Sequence, residues 1–285
     1  MGGSHYDIFF LGAGSMAEAL IRGITGSGLL PPERVTAANR SNAERLRELS
    51  AKYGIRAAFS EEEKIEALAR AEVVVLGMKP KDAAEAIVSL RPHLAPRQLV
   101  VSVIAGLSTG VIQNLLGRRQ PVARTMPNTS SQIGLGAAGI AFSPEVGGED
   151  RERVLALFRA VGLAAVVEEE LLDAVTAVSG SGPAYIYYMM EAMMEAAGRL
   201  GLSPDAAREL VVQTVRGAAE TVRLTGEEPA ELRRRVTSPG GTTQAAIETL
   251  ERMGFREAVI RAMERAAERA GELGAAIAAE AEGRS

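Results

Sequence analysis

An apolar run, Tyr6 to Leu11, passes without a break into Gly12-Ala13-Gly14-Ser15-Met16-Ala17 and then into a helical pattern carried by Ala19, Leu20, Gly23 and Ile24. A strand that turns on Gly-x-Gly-x-x-Ala into a helix commits the chain to a βα unit of the nucleotide-binding kind. Unpaired amides and a dipole worth roughly +0.5 charge gather at such a helix start, and bare glycines let a pyrophosphate approach the backbone. A structural tight turn would use the same glycines. The position of the motif, at the opening of a βα unit, makes a nucleotide site the expectation.

The alternation continues as a doubly wound sheet requires. The second strand, Val35 to Ala38, ends at Asn39-Arg40-Ser41. An acidic residue at this point suits a free 2′-hydroxyl, whereas Arg and hydroxyls suit a 2′-phosphate, so NADP is expected ahead of NAD, with NADH still usable. The alternative is that Ser41 only caps a helix over Asn42 to Lys52 and Arg40 is solvated. A helix around Glu61 to Ala69 leads to Glu72 to Gly77, a near-continuous apolar run of the sort buried on both faces of a parallel sheet. Met78-Lys79-Pro80 then opens the next helix, with Pro80 suited to a first turn and Lys79 placed beside the expected cofactor. Leu99 to Ile104 ends at Ala105-Gly106, where small side chains leave room for a nicotinamide ring. Val122 to Thr125 ends in Met126-Pro127-Asn128, and Asn128 either holds the carboxamide or shapes the turn. Gly134 to Phe142 adds a last strand or two, and a helix over Glu149 to Val161 closes this half.

Strand signals stop after about Glu168, which sets the expected division: a Rossmann domain over 1–166 and an all-α domain over 167–285. Ser179-Gly180-Ser181-Gly182-Pro183 starts a helix whose Tyr185, Ile186, Tyr187, Tyr188, Met189, Met190, Met193 and Met194 do not keep to one stripe. A helix apolar nearly all round is buried nearly all round, so a second subunit is expected to cover it. Ser203-Pro204-Asp205 caps another helix, with Gly226 as its stop. Arg233, Arg234 and Arg235 read as a solvated turn. An amphipathic helix from Phe255 through Ile277 is expected to pack at the same interface.

Between these helices lies Val236-Thr237-Ser238-Pro239-Gly240-Gly241-Thr242-Thr243, feeding the periodic run Ala245 to Leu250. This is a second glycine-hinged helix start, with hydroxyls at Ser238, Thr242 and Thr243 directed to the same point. A well-capped turn has the same composition. The nucleotide site earlier in the chain needs a substrate pocket opposite it, and this loop is the candidate.

Composition narrows the chemistry. The 285 residues include no Cys and only two His, His5 and His93, so thiolate nucleophiles, disulfides and zinc catalysis are not expected. Lys occurs only at Lys52, Lys64, Lys79 and Lys81, leaving the second half without one as acid, base or Schiff-base former. A net charge of −4 without a basic stripe argues against nucleic acid as a partner. No secretory or membrane-spanning segment is read, so the cytoplasm is the expected location, and residues 1–5 carry no weight.

Taken together, Gly12-Ala13-Gly14-Ser15-Met16-Ala17, Ser179-Gly180-Ser181-Gly182-Pro183-Ala184-Tyr185 and Val236 to Thr243 closely resemble the pyrroline-5-carboxylate reductase family, from Tyr6 to about Gly274. The last two motifs are specific, while the first is shared by many oxidoreductases. The resemblance implies a Rossmann domain, a helical domain interlocking with its twin, homodimers that assemble into larger rings such as a decamer, and NADPH-dependent reduction of the cyclic imine 1-pyrroline-5-carboxylate to L-proline. It also implies that Ser238, Gly240, Gly241, Thr242 and Thr243 surround the substrate, with Thr243 and Ser238 nearest the chemistry. The family often has an Asn after the third strand; this chain has Phe59-Ser60-Glu61, and that contact is not carried over.

On this reading the substrate carboxylate sits on the Gly241 to Thr243 amides. The imine proton has three sources: substrate bound already protonated, relay by Thr243 with water, or help from a carboxylate such as Glu227. Two other classes stand beside it. A β-hydroxyacid dehydrogenase would need a helical-domain Lys that this chain lacks, and a nucleotide-sensing dimer would have no use for the Ser238 to Thr243 loop.

Overall fold

The computed structural model describes residues 6–282, with side chains to residue 280; His5 and the rest of 1–5 lie outside the described residues. The chain runs β1 (Ile8–Leu11), α1 (Ser15–Gly26), β2 (Val35–Ala38), α2 (Ala43–Tyr53), β3 (Arg56–Ala58), α3 (Glu61–Arg70), β4 (Val73–Leu76), α4 (Pro80–Leu90), β5 (Leu99–Ser102), α5 (Thr109–Leu116) and β6 (Val122–Met126). It continues through β7 (Gly136–Phe142), α6 (Gly148–Arg159) and β8 (Gly162–Val166) into the helices α7 (Leu172–Val175), α8 (Gly182–Arg199), α9 (Pro204–Thr225), α10 (Pro229–Arg235), α11 (Thr242–Arg252) and α12 (Phe255–Glu282).

The sheet order is β3-β2-β1-β4-β5-β6-β7-β8, all neighbours parallel except β6 with β7. The order reverses at β1, between β2 and β4, which opens a crevice at the strands' C-terminal ends. Strand alternation explains why both faces carry helices. Ile8 and Phe10 pack with Leu20, Ile24, Leu46 and Phe158 on one side, whereas Phe9 packs with Leu68, Ile87 and Ile112 on the other. Each face therefore buries its own apolar layer, and the crevice between them is left to the loops.

The strand β8 was not separately expected. Gly162–Val166 is polar enough on neither side to announce itself, with Leu163 and Val166 both exposed, yet it pairs along β7 from Gly136↔Gly162 to Ile140↔Val166. The segment after it is tied back to the sheet by ions. Arg124 on β6 is largely buried and reaches Glu169 at 3.4 Å and Asp173 at 3.3 Å. Glu169 in turn accepts from the Thr109 amide at 2.8 Å and its hydroxyl at 2.6 Å, so one carboxylate joins the start of α5 to the end of the sheet. A buried cation of this kind is stable only while partnered.

Residues pack as two compact units, one running to Ser181 and resuming at Ala266, the other spanning Gly182–Arg265. The end of the last strand at Val166 thus precedes the packing boundary. The later part of α12 belongs with the sheet and not with the exposed helices expected to hold it: Gly274 lies against Gly106, and Ile277 packs on the sheet's second apolar layer. Within the helical unit, α8 leaves Tyr187 and Tyr188 exposed at 56% and 76% in the single chain, on a helix with no buried residue. Arg233, Arg234 and Arg235 are solvated as expected, but on a helix and not in a free turn. They form the last turn of α10 and pair with Glu251, Glu231 and Glu227.

Candidate active site

In the sheet unit the expected cofactor residues come from one edge. Gly12 to Ala17 follow β1, Asn39 to Ser41 follow β2, Met78 to Pro80 follow β4, Ala105 and Gly106 follow β5, and Asn128 follows β6. Because these strands are parallel, their ends share one mouth. The turn there is tight. Gly12 has φ +112, and a Cβ on it would stand 2.5 Å from the Gly77 carbonyl carbon and 2.8 Å from the Met78 nitrogen. Only glycine fits. The Gly12 amide donates to the Ala38 carbonyl at 2.8 Å and the Gly77 amide to Leu11 at 2.9 Å, so three strand ends are laced together. The helix α1 begins at Ser15 with Gly14 as N-cap and no side chain capping it. Its first amides are thereby left for an anion. The cradle fits a dinucleotide pyrophosphate.

Two residues that support this turn lie outside the expected set. Gly77 backs Gly12 so closely that each excludes a side chain on the other; its signal was the glycine ending an unbroken apolar strand. Arg45 on α2 donates from Nε to the Ala13 carbonyl at 3.2 Å and pairs with Glu18 in the first turn of α1. Glu18 also accepts from Tyr53 at 2.8 Å and Lys52 at 3.0 Å. The Arg45 guanidinium beside Glu18 holds that carboxyl well below its ordinary range, at about 2. No local pattern marks Arg45, since the contact spans the βα unit.

The expected side chains behave unequally. Asn39 turns inward on its own loop, donating to the Asn42 carbonyl at 2.6 Å and accepting the Asn42 amide at 3.1 Å. Asn42, not Ser41, caps α2 by accepting from the Arg45 amide at 2.9 Å; Ser41 is left exposed. Arg40 is exposed but not free, as Asp82 holds it at 3.0 Å. Lys79 occupies the N-cap position of α4 without a side-chain cap and points to solvent. Asn128 uses both ends of its amide on protein, Nδ2 on the Ser179 carbonyl at 3.0 Å and Oδ1 on the Ala137 amide at 3.2 Å. Of its two readings, turn shaping is the one these bonds carry.

In the helical unit, the loop from Val236 to Thr243 is a second glycine hinge. Gly240 has φ +70, Gly241 is the N-cap of α11, and no side chain caps that helix. The Gly241 amide donates to the Ser238 carbonyl at 3.0 Å, which folds the hydroxyl-bearing residues onto the helix start. Gln244 closes the loop from inside by accepting the Gly240 amide at 2.6 Å. It was not among the expected residues, although a Gln three positions past a cap is the usual signal for such a return. Thr242, Thr243 and Gln244 stand at the first three helical positions, where amides have no partner within the helix. Glu227 is already engaged: Arg235 takes both of its oxygens.

Known proteins repeat both halves in the same order. Residues 7–106 match the family model described as "NADP oxidoreductase coenzyme F420-dependent", and residues 169–273 match "Pyrroline-5-carboxylate reductase dimerisation". Pyrroline-5-carboxylate reductase 2 of Bacillus subtilis is 46% identical over 93% of this chain and 94% of its own. The solved pyrroline-5-carboxylate reductase of Coxiella burnetii is 37% identical, with a TM-score of 0.89 over 95% of this chain and 99% of that one. The Plasmodium falciparum pyrroline carboxylate reductase solved with NADP bound is 27% identical, with a TM-score of 0.85 over 96% and 100%. A glycine turn that excludes every side chain, a second hinge that leaves its helix uncapped, and likeness along nearly the full length of several relatives carry one conclusion: this chain belongs to the pyrroline-5-carboxylate reductase family.

Proposed function

We propose that the protein reduces 1-pyrroline-5-carboxylate to L-proline, the last step of proline biosynthesis, with NADPH as the preferred reductant and NADH accepted. The observation that carries this reading is the uncapped start of α11 behind Gly240-Gly241, in a chain whose other glycine turn is shaped for a dinucleotide. Gly12, Gly14, Ser15, Met16 and Ala17 hold the pyrophosphate, Arg40 and Ser41 the adenosine end, and Ala105 and Gly106 leave space for the nicotinamide. The bound reductant supplies the hydride.

This chain's own residues do the rest by binding and orientation. The substrate carboxylate takes the amides of Gly241, Thr242 and Thr243, with Ser238 and Gly240 shaping the pocket. Charge-assisted hydrogen bonds of this sort contribute about 1.5–3 kcal/mol each, so two or three fix a small ring without an Arg. Fixing the ring sets its C=N carbon for attack, where much of the acceleration lies in position. Thr243 holds a hydrogen bond near the imine nitrogen and relays a proton with water; a hydroxyl is too weak an acid to keep one in reserve. The proton sources are the substrate itself, this relay, or a carboxylate such as Glu227, which Arg235 pairs with.

The exposed Tyr187 and Tyr188 of α8 support a homodimer through the helical unit, which assembles further into a ring. The cytoplasmic placement read from the sequence belongs to the same proposal. The test is oxidation of NADPH with 1-pyrroline-5-carboxylate, run beside a 2-hydroxy acid in the reverse direction. Turnover on the imine alone is expected; turnover on the hydroxy acid alone would replace this reading with a β-hydroxyacid dehydrogenase.

A further inference from the structure

Arg40 follows β2 and Asp82 sits in the first turn of α4, which follows β4. Both strands pair with β1, one on each side. The Arg40 Nη1 to Asp82 Oδ1 contact at 3.0 Å therefore spans the end of β1, over the side of the mouth where the adenosine half of a dinucleotide is expected. Among the described residues, neither side chain makes another hydrogen bond or ion pair. Arg40 is 76% exposed and Asp82 30%, so the cation is accessible to a ligand while its partner is anchored to the sheet by α4.

We propose that Asp82 sets the selectivity between the two nicotinamide dinucleotides by competing with the ligand for Arg40. The inference rests on the reading of this mouth as an NAD(P)H site. A dinucleotide with a 2′-phosphate offers Arg40 a second, doubly charged acceptor, and Asp82 then weakens that contact by sharing the guanidinium. A dinucleotide with a free 2′-hydroxyl makes no such claim on Arg40. Any loss from opening the ion pair to admit adenosine is common to both and cancels in the ratio of their affinities. Asp82 thus holds the preference for NADPH below what Arg40 alone would give.

The experiment is a binding titration of NADPH and of NADH, by nicotinamide fluorescence without imine substrate, to four proteins: wild type, Asp82→Asn, Arg40→Ala and the double variant. An exposed ion pair is worth little, so Asp82→Asn is expected to raise the NADPH-to-NADH affinity ratio about two- to fivefold. Arg40→Ala is expected to lower it about tenfold, and Asp82→Asn in that background to leave it unchanged. A ratio unchanged or lowered by Asp82→Asn overturns the proposal, since the carboxylate then does nothing or orients Arg40 usefully. A rise that persists without Arg40 also overturns it, showing charge repulsion alone. An unmoved ratio in Arg40→Ala, with both dinucleotides bound, overturns the role of Arg40 while the nucleotide site stands. Failure of wild type to bind either dinucleotide removes the underlying reading, and the proposal with it.

Discussion

Two of the molecule's glycine-capped helix starts, those of α1 and α11, are near copies in backbone but opposites in setting. Gly14 caps α1 at φ −75, ψ −176, and Gly241 caps α11 at φ −85, ψ 172, each without a side-chain cap. Before the first cap stands Gly12, wedged against Gly77; before the second stands Gly240, with nothing within 4 Å of where its Cβ would lie. The first hinge is a product of packing, held from behind by the sheet and by Arg45. The second is held only by its own loop, through Gln244 and the Ser238 carbonyl. A rigid hinge suits a cofactor common to many enzymes. An open one leaves its walls to be supplied by whatever binds or docks there.

The contrast breaks most visibly at the glycines. Gly12→Ala combines overpacking, about 1–3 kcal/mol, with a left-handed backbone penalty of about 1–2 kcal/mol. It is expected to destabilise the fold by at least about 2 kcal/mol and to abolish NADPH binding, read by thermal unfolding and titration. Gly240→Ala incurs the backbone penalty alone, about 1 kcal/mol, and leaves NADPH binding intact. Equal losses from the two would erase the distinction drawn between them.

Chemistry should divide along the same line. Thr243→Ala is expected to lower turnover about tenfold or more with NADPH affinity unchanged, the scale of one charge-assisted hydrogen bond. Wild-type turnover in this variant would remove Thr243 from the mechanism. Gln244→Ala deletes the clasp on the Gly240 amide, worth about 1 kcal/mol, and should raise KM for the imine about fivefold while kcat moves less. A fall in kcat with constant KM would mean that Gln244 acts on the reacting bond.

The smallest effect sharpens the rigid side. Glu18 titrates at about 2 in the folded protein against an ordinary 4.5, so its contribution is present above pH 4.5 and is lost as pH falls from there toward 2. The Tm advantage of the protein over Glu18→Gln should therefore be constant above about pH 5.5 and shrink steadily below pH 4.5. A gap that stays constant on acidification would show that the carboxylate's charge is not what holds Arg45.

Much of this was legible in residue order because both hinges are local. A glycine pair followed by a periodic run states its own geometry, and the strand run Val73–Leu76 states its burial on both faces. What escaped were contacts between distant segments. Arg45 reaches Ala13 across a whole βα unit, Glu169 reaches Thr109 across three strands of the chain, and Asp82 reaches Arg40 over β1. None has a spacing rule. β8 escaped for a related reason, since its pairing with β7 comes from position at the sheet's edge and not from alternation in Gly162–Val166.

The meeting of Gly106 with Gly274 has a consequence for the order in which the protein can be finished. Backbone touches backbone there, at 3.1–3.2 Å from any methyl group added to either. During synthesis the loop after β5 emerges before the helical unit, and the part of α12 against which it rests emerges after that unit. The nucleotide-binding half therefore cannot acquire its final surface domain by domain; it must wait, with that loop uncovered, until the helical unit has been made.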